Sequence, residues 1–306
     1  MTRVLFIGSK SLGLSCLRKV GDLSPASLVG AMTLDDRSDR RSALAGFEEH
    51  AKSNGLPLRV ARSRSESEAQ IAHFRPDLCL VAGWYRRFSP EILRAAAGGF
   101  LGIHASLLPR HRGFAPLVWT MIEGDHEAGV TLFSMTDAID DGDIWGQRSV
   151  PIAESDYIAD VLVKIEGQAL ALLDEVWLAI LSKSVGPVPQ PPVGATYGPQ
   201  RTPAHGRIDW SLPARRIYDF VRAQSDPYPG AFTTLSGGRK LRIWRARLTS
   251  DRPPASPGSC IRLADGTPGI VGGDGIALQL ELVSVDDGPP RPAKDIPMAD
   301  ISRISG

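Results

Sequence analysis

The sequence predicts an α/β protein, a parallel β-sheet flanked by helices and followed by a small β-barrel. Three observations carry this. Through residue 104, short apolar runs alternate with helical patterns, as they do where helices cross between parallel strands. At 185–193 the chain reads VGPVPQPPV, an extended, polyproline-style stretch that cannot continue a helix. From residue 207 onward short strand-like runs are separated by Gly and Pro, the rhythm of a small barrel. A chain of 306 residues is long enough for two cores. The expected division is a first domain over 1–184, a Pro-rich linker over 185–206 and a second domain over 207–306.

Residues 4–8 (VLFIG) read as the first strand, and 12–20 as a helix with apolar residues at helical spacing. A second strand follows at 28–32. The helix expected over 42–54 is closed by Asn54-Gly55, a C-terminal stop. Then come a short strand at 58–61, a helix at 66–74 and a central buried strand at 78–83. Ser89-Pro90-Glu91 opens another helix, with Ser89 as N-cap and proline in the first turn. The strand at 100–104 ends on His104, and ligands of open α/β sheets bind at that carboxyl edge. Strands at 130–135 and 147–152 bracket a Gly-containing turn. Over 156–182 a long amphipathic helix presents Ile158, Val161, Leu162, Ile165, Leu172, Leu173 and Val176 on one face. Beyond the linker, a helix at 214–223 precedes strands at 231–235, 240–245, 260–263, 269–271 and 277–283.

Composition excludes several classes. Hydrophobic content of 42% with 23% charged residues is that of a folded globular chain. The formal net charge is +1, and the short basic clusters at 37–41 and 239–247 read as solvated faces, so nucleic acid is not an expected partner. No window approaches the roughly 20 apolar residues of a membrane span. The opening MTRVLFIGSK has too short an apolar core for a signal peptide, so a cytoplasmic protein is expected. The 3 cysteines, Cys16, Cys79 and Cys260, are far apart and odd in number, which argues against a disulfide framework or a metal site. GSKSLG at 8–13 lacks the G-x-G-x-x-G order, and dinucleotide binding is not expected.

The chemistry concentrates in two segments, GIHASLLPRHRGFAP at 102–116 and AIDDGDI at 138–144. The first supplies a histidine, His104, and the second carboxylates. A histidine beside an aspartate is a usual apparatus for removing a proton near neutral pH. Asp140, Asp141 and Asp143 all sit where turn formers sit, and any of them could supply the carboxylate. Ser106 lies outside any G-x-S-x-G and reads as a loop hydrogen-bonder rather than a nucleophile. Arg110 and Arg112 are either anion partners or a solvated loop. Trp84 to Arg87 either border a ligand or pack beneath a loop. His111, His126 and His205 read as surface residues.

HASLLPRHRG at 104–113 resembles the H-x-S-L-L-P-x-x-R-G loop of the formyltransferase superfamily that uses 10-formyltetrahydrofolate. GVTLF at 129–133 resembles its G-V-T strand, and DDGDI at 140–144 its D-x-G-D turn. RIDW at 207–210 and DPYPGAF at 226–232 are similar to the start of its C-terminal domain, so the resemblance spans essentially the whole chain. It implies a Rossmann-like catalytic domain and a small OB-like barrel. Within the superfamily, WYRRF at 84–88 and the R-T-P before I-D-W at 201–210 look most like the domain that formylates UDP-4-amino-4-deoxy-arabinose. The segment 33–57 also lacks the basic P-x-G-R-G-K-K insertion of the tRNA enzymes.

The resemblance implies transfer of a formyl group from 10-formyltetrahydrofolate to a primary amine of a small acceptor, such as a nucleotide-linked amino sugar. His104 would be the base, with Asp140 orienting it and supporting its imidazolium, and no metal is implied. Folate contacts would come from Trp84, Tyr85 and Arg86, from Ser106 and Leu108, and from Ile139 and Asp141. Acceptor contacts would come from Ser9, Arg112 and Arg201. One position departs: the family's N-x-H places an asparagine, an oxyanion donor, where this chain has Gly102. That departure keeps a formyltetrahydrofolate hydrolase in view, beside a methionyl-tRNA formyltransferase and a non-catalytic folate- or nucleotide-binding module. The oligomeric state is left open.

Overall fold

The computed structural model describes residues 1–286 and 288–301. The first half of the chain runs β1 (Val4–Gly8), α1 (Lys10–Leu23), β2 (Leu28–Leu34), α2 (Leu44–Ser53), β3 (Leu58–Ala61), α3 (Arg64–Phe74), β4 (Leu78–Ala82), α4 (Pro90–Leu93) and β5 (Phe100–His104). It continues through β6 (Arg112–Gly113), α5 (Pro116–Glu123), β7 (Glu127–Ser134), β8 (Ile144–Pro151), α6 (Ile158–Leu181) and β9 (Tyr197–Gly198). The remainder comprises α7 (Ala214–Gln224), β10 (Ala231–Thr234), β11 (Lys240–Leu248), β12 (Cys260–Arg262), β13 (Pro268–Val271), β14 (Ala277–Val285), β15 (Arg291–Pro292) and α8 (Met298–Ile301).

Two units emerge. The first contains Met1–Pro116, Glu127–Pro151 and Leu162–Pro199, and the second Leu117–His126, Ile152–Val161 and Gln200–Gly306. This differs from a single linker at 185–206. Residues 185–199 group with the first unit because the groups between the prolines hydrogen-bond to it: Val188 bridges Ile144, and β9 pairs in parallel with β6. The helix α5 was not anticipated, and it groups with the second unit together with the start of α6.

In the first unit seven strands lie in the order β3-β2-β1-β4-β5-β7-β8. Strands β1 to β5 are parallel neighbours, and their centre is buried on both faces, which explains why VLFIG and LCLVA carry no polar alternation. The sheet is parallel through β5 and mixed at one edge, where β7 runs antiparallel to β5 and β8 antiparallel to β7. A nine-residue loop between β7 and β8 (135–143) is too short for the helical crossover that parallel neighbours require. Helix starts follow local chemistry: Ser63 caps α3 by accepting from Glu66 N at 3.1 Å, while the Glu66 carboxylate accepts from Arg62 N at 2.8 Å.

The second unit's sheet has the order β10-β11-β14-β13-β12, with β15 on the free part of β14. Among the described residues it is an open antiparallel half-barrel rather than a closed barrel. Helix α7 buries Ile217, Tyr218 and Val221 in a core with Leu241, Ile243, Leu278 and Leu280. The end of this segment, 302–306, lies outside the described residues.

Candidate active site

His104 is the last residue of β5, where the strand emerges at the carboxyl edge of the parallel sheet. Its side chain is only 10% exposed. Nε2 lies 2.9 Å from the carbonyl oxygen of His111. A carbonyl only accepts, so Nε2 carries the hydrogen and the neutral ring presents a bare Nδ1. That Nδ1 is 3.6 Å from Oδ2 of Asp140. The tautomer is therefore set by the backbone at 111. Asp140 is placed to stabilise the imidazolium once Nδ1 gains a proton.

Asp140 is fixed from three sides. Its backbone is left-handed, with φ +49°. Its Oδ2 accepts from Gly113 N at 2.7 Å, and its carbonyl accepts from the Gln190 amide at 2.8 Å. Gly113 itself sits at φ +93°, and a Cβ there would lie 2.9 Å from the carbonyl oxygen of Gly198, so only glycine presents its N–H to Asp140 from this position.

His104 and Asp140 open onto a pocket of about 300 Å³. Its walls are the chain after β4 (83–88), the end of β5, the loop 113–116 and the loop 135–140. Trp84, Tyr85, Arg86 and Ile139 line it. Trp84 stacks on Phe88 with ring centroids 5.8 Å apart. Among the described residues Trp84 Nε1 and Arg86 Nη1 are buried donors with no partner, whereas the other terminal nitrogen of Arg86 donates to Arg62 O.

Other expected residues do not line this pocket. Ser106 is buried and donates to Arg110 O at 2.7 Å, a loop role. Leu108 is buried ahead of a cis proline, its N–H donating to Thr131 Oγ1. The Asp141 carboxylate accepts from the Thr136 hydroxyl. Ser9 is buried and donates to Gly83 O. Arg112 is occupied by Gln190 and by the Tyr197 hydroxyl. Arg201 belongs to the second unit, where its guanidinium lies over Trp119 and Phe220 and donates to His205 O and Gln224 Oε1. Gly102 lies within β5, its missing side chain facing Phe133 and Met135. Cys16 and Cys79 are fully buried, and burial pushes both thiols far up from their ordinary range, so neither is a nucleophile.

Comparison with known proteins places this geometry. Residues 35–176 match the formyl transferase family model, and residues 201–298 match the formyl transferase C-terminal domain. The chain is 33% identical over 304 residues to a methionyl-tRNA formyltransferase of Anaeromyxobacter dehalogenans, covering 96% of each. The chain belongs to the formyltransferase family.

Among solved structures, this formyltransferase is similar to the N-formyltransferase of Helicobacter canadensis, solved in complex with folinic acid and dTDP-3-aminofucose. The TM-score is 0.69 and the identity 16%, over 92% of this chain and 99% of that one. It is also similar to HypX of Aquifex aeolicus, with a TM-score of 0.65 and 18% identity, over 95% of this chain. The formyltransferase spans about half (48%) of that longer protein. These likenesses are of fold.

Several groups that build the formyltransferase site were not legible in its sequence. The His111 carbonyl and the Gly113 N–H are backbone groups, which no residue type advertises. Gln190 lies in the proline-rich stretch, where the only signal was extended structure. Phe133 reads as an ordinary strand residue, and only the register of β7 on β5 sets it opposite Gly102.

Proposed function

We propose that this formyltransferase moves a formyl group from 10-formyltetrahydrofolate to a primary amine of a small acceptor, with His104 as the base. The observation that carries this reading is the bare Nδ1 of His104, 3.6 Å from the Asp140 carboxylate, in the wall of an aromatic-lined pocket.

The pocket's residues suit the folate. Trp84, Tyr85 and Ile139 offer flat apolar surface, while Trp84 Nε1 and Arg86 Nη1 are donors awaiting acceptors of the kind a pterin edge carries. When bound, the folate supplies an activated formyl carbon on a nitrogen leaving group. His104 Nδ1 takes the proton of the attacking amine, and the Asp140 carboxylate lowers the cost of the imidazolium that results. The new Nδ1–H is then a charged donor beside the reacting centre. It takes the part of the side-chain donor that Gly102 does not provide. Return of that proton to the departing nitrogen restores the neutral ring.

The acceptor assignment rests on the near-zero net charge and on the dispersal of Lys and Arg, whose short clusters at 37–41 and 239–247 read as solvated faces rather than a tract for a tRNA stem. A second reading, methionyl-tRNA as acceptor, is favoured by the name of the 33% identical relative. One assay tests both. Purified protein is incubated with 10-formyltetrahydrofolate and either methionyl-tRNA or a panel of amines that includes dTDP- and UDP-linked amino sugars. Formylated product is read by mass spectrometry. Turnover on a small amine, lost by about two to four orders of magnitude in His104→Ala, is expected. Turnover on methionyl-tRNA alone would establish the second reading, and undiminished turnover in His104→Ala would remove the proposed base.

A further inference from the structure

We propose that Gln190 is a positioning residue for the His104–Asp140 pair, and that the proline-rich segment 188–198 is the strap that holds the two site loops in register. This rests on the reading of that pair as the reacting one.

A primary amide can donate two hydrogens and accept two, and the Gln190 amide uses all four positions. Its Nε2 donates to the carbonyls of Asp140 and Gly142, each at 2.8 Å. Its Oε1 accepts from Arg112 Nε at 3.2 Å and Nη2 at 2.7 Å. The two sets of partners belong to the two loops that build the site. Arg112 stands between His111, whose carbonyl orients the His104 ring, and Gly113, whose N–H binds the Asp140 carboxylate. The donors grip Asp140 at its own carbonyl, where the backbone holds the left-handed conformation that L-residues adopt reluctantly. One side chain thus links Arg112, the neighbour of the residue that sets the ring, to Asp140, the residue that faces it.

The rest of the strap repeats the arrangement in backbone. Val188 and Ile144 exchange hydrogen bonds of 2.7 and 2.8 Å just after the Asp140 loop. On the other loop, Arg112 N donates to Thr196 O at 2.8 Å, Phe114 N to Gly198 O at 3.0 Å, and His111 N to Thr196 Oγ1 at 2.8 Å. Gln190 is the strap's side-chain tie between both loops. Without it Asp140 loses the hold on its carbonyl, and its carboxylate is held before Nδ1 by the Gly113 N–H alone.

The test reads the pair directly and needs no acceptor. His104 is one of 6 histidines, and its imidazole resonance is assigned by its loss in His104→Ala. Its ring resonances are compared at one fixed pH by NMR in wild type, Asp140→Asn, Gln190→Ala and the double variant. The carboxylate stands 3.6 Å from Nδ1, so neutralising it in Asp140→Asn is expected to displace the His104 ring signals. The other charged or titratable side chains of the pocket wall, Tyr85, Arg86, Arg87 and Asp137, are unchanged in every variant. Gln190→Ala is expected to reproduce at least half of the Asp140→Asn displacement, and the double variant to add nothing to Asp140→Asn. Gln190→Met, which keeps the stem and removes the amide, should behave like Gln190→Ala. If Asp140→Asn displaces the ring signals and neither Gln190 variant does, the positioning role is overturned while the pair stands. If Asp140→Asn itself leaves the signals in place, the pair falls first. Loss of folding in both Gln190 variants would also overturn the assignment, by making Gln190 a structural residue.

Discussion

A Cβ atom at Gly102 would lie 2.7 Å from Cε1 of Phe133 and 3.1 Å from its Cζ. The two residues are register partners on β5 and β7, so the ring lies across the face from which the side chain at 102 is missing. The same ring stands edge-on to His104, with centroids 6.2 Å apart. The departure from the family's asparagine is therefore not a vacancy beside the histidine. The Phe133 ring fills the space into which a side chain at 102 would project.

Gly102→Asn alone is accordingly expected to destabilise the protein by about 1–3 kcal/mol through overpacking. Shortening the partner should relieve it. In a double-mutant cycle with Phe133→Leu, the two substitutions should couple favourably by about 1 kcal/mol or more. Urea midpoints of the four proteins measure this. Strict additivity would show that Phe133 does not oppose a side chain at 102.

The parallel part of the sheet was legible because its strands are buried on both faces. VLFIG and LCLVA have no polar alternation, and Ser89 caps α4 at the Ser-Pro-Glu start that the sequence advertised. His104 and Asp140 were legible as residue types in unusual loops. What brings them together was not. The ring is oriented by a carbonyl, the carboxylate by a glycine N–H, and both loops by a stretch whose prolines advertised only extension. Local composition reports how a segment is built, not what its unpaired groups will bind. The edge strands β7 and β8 were legible as strands bracketing a turn, but pattern alone does not give direction.

Thr131 offers a test of how the His104 loop is held. It is β7's register partner of His104 and is fully buried. Its hydroxyl donates to Ser106 O at 2.6 Å and accepts from Leu108 N at 3.2 Å and Gln147 Nε2 at 2.9 Å. Thr131→Val keeps the shape and strands these groups. Each buried polar group left without a partner costs about 1–3 kcal/mol, so a loss of at least about 2 kcal/mol is expected from chemical denaturation. A loss below about 0.5 kcal/mol would mean that the loop holds itself.

Asp39 gives the first unit an acid-sensitive contribution. Its carboxylate accepts from Arg41 at 2.7 and 3.0 Å and from Lys10 at 2.9 Å. The hydrogen bonds from the Arg41 guanidinium, aided by Lys10 and opposed by partial burial, hold the carboxyl well below the usual range. A depressed folded-state pKa means stability that is complete above the unfolded value, about 3.9, and is lost as pH falls below it. Asp39→Asn should therefore melt lower than wild type at pH 7, with the gap closing steadily below about pH 4. A gap independent of pH would show that charge is not the source.

Tyr157 tests the second unit, and its sign is opposite. Strand β11 shifts register around Arg245 and Ala246. There the Tyr157 hydroxyl donates to Ala246 O at 2.9 Å and accepts from Ala246 N at 3.0 Å, serving both backbone groups at once. Burial pushes the phenol up to about 12 from an ordinary 10. Tyr157→Phe strands a buried N–H and a buried carbonyl, an expected loss of about 1–3 kcal/mol at neutral pH. A raised folded-state pKa means that the stabilisation is complete below pH 10 and is lost as pH rises toward 12. Wild type should therefore lose stability over that alkaline window faster than Tyr157→Phe, and the two unfolding curves should converge. Parallel curves from pH 7 to pH 12 would show that the hydroxyl's proton is not what joins Tyr157 to the strand.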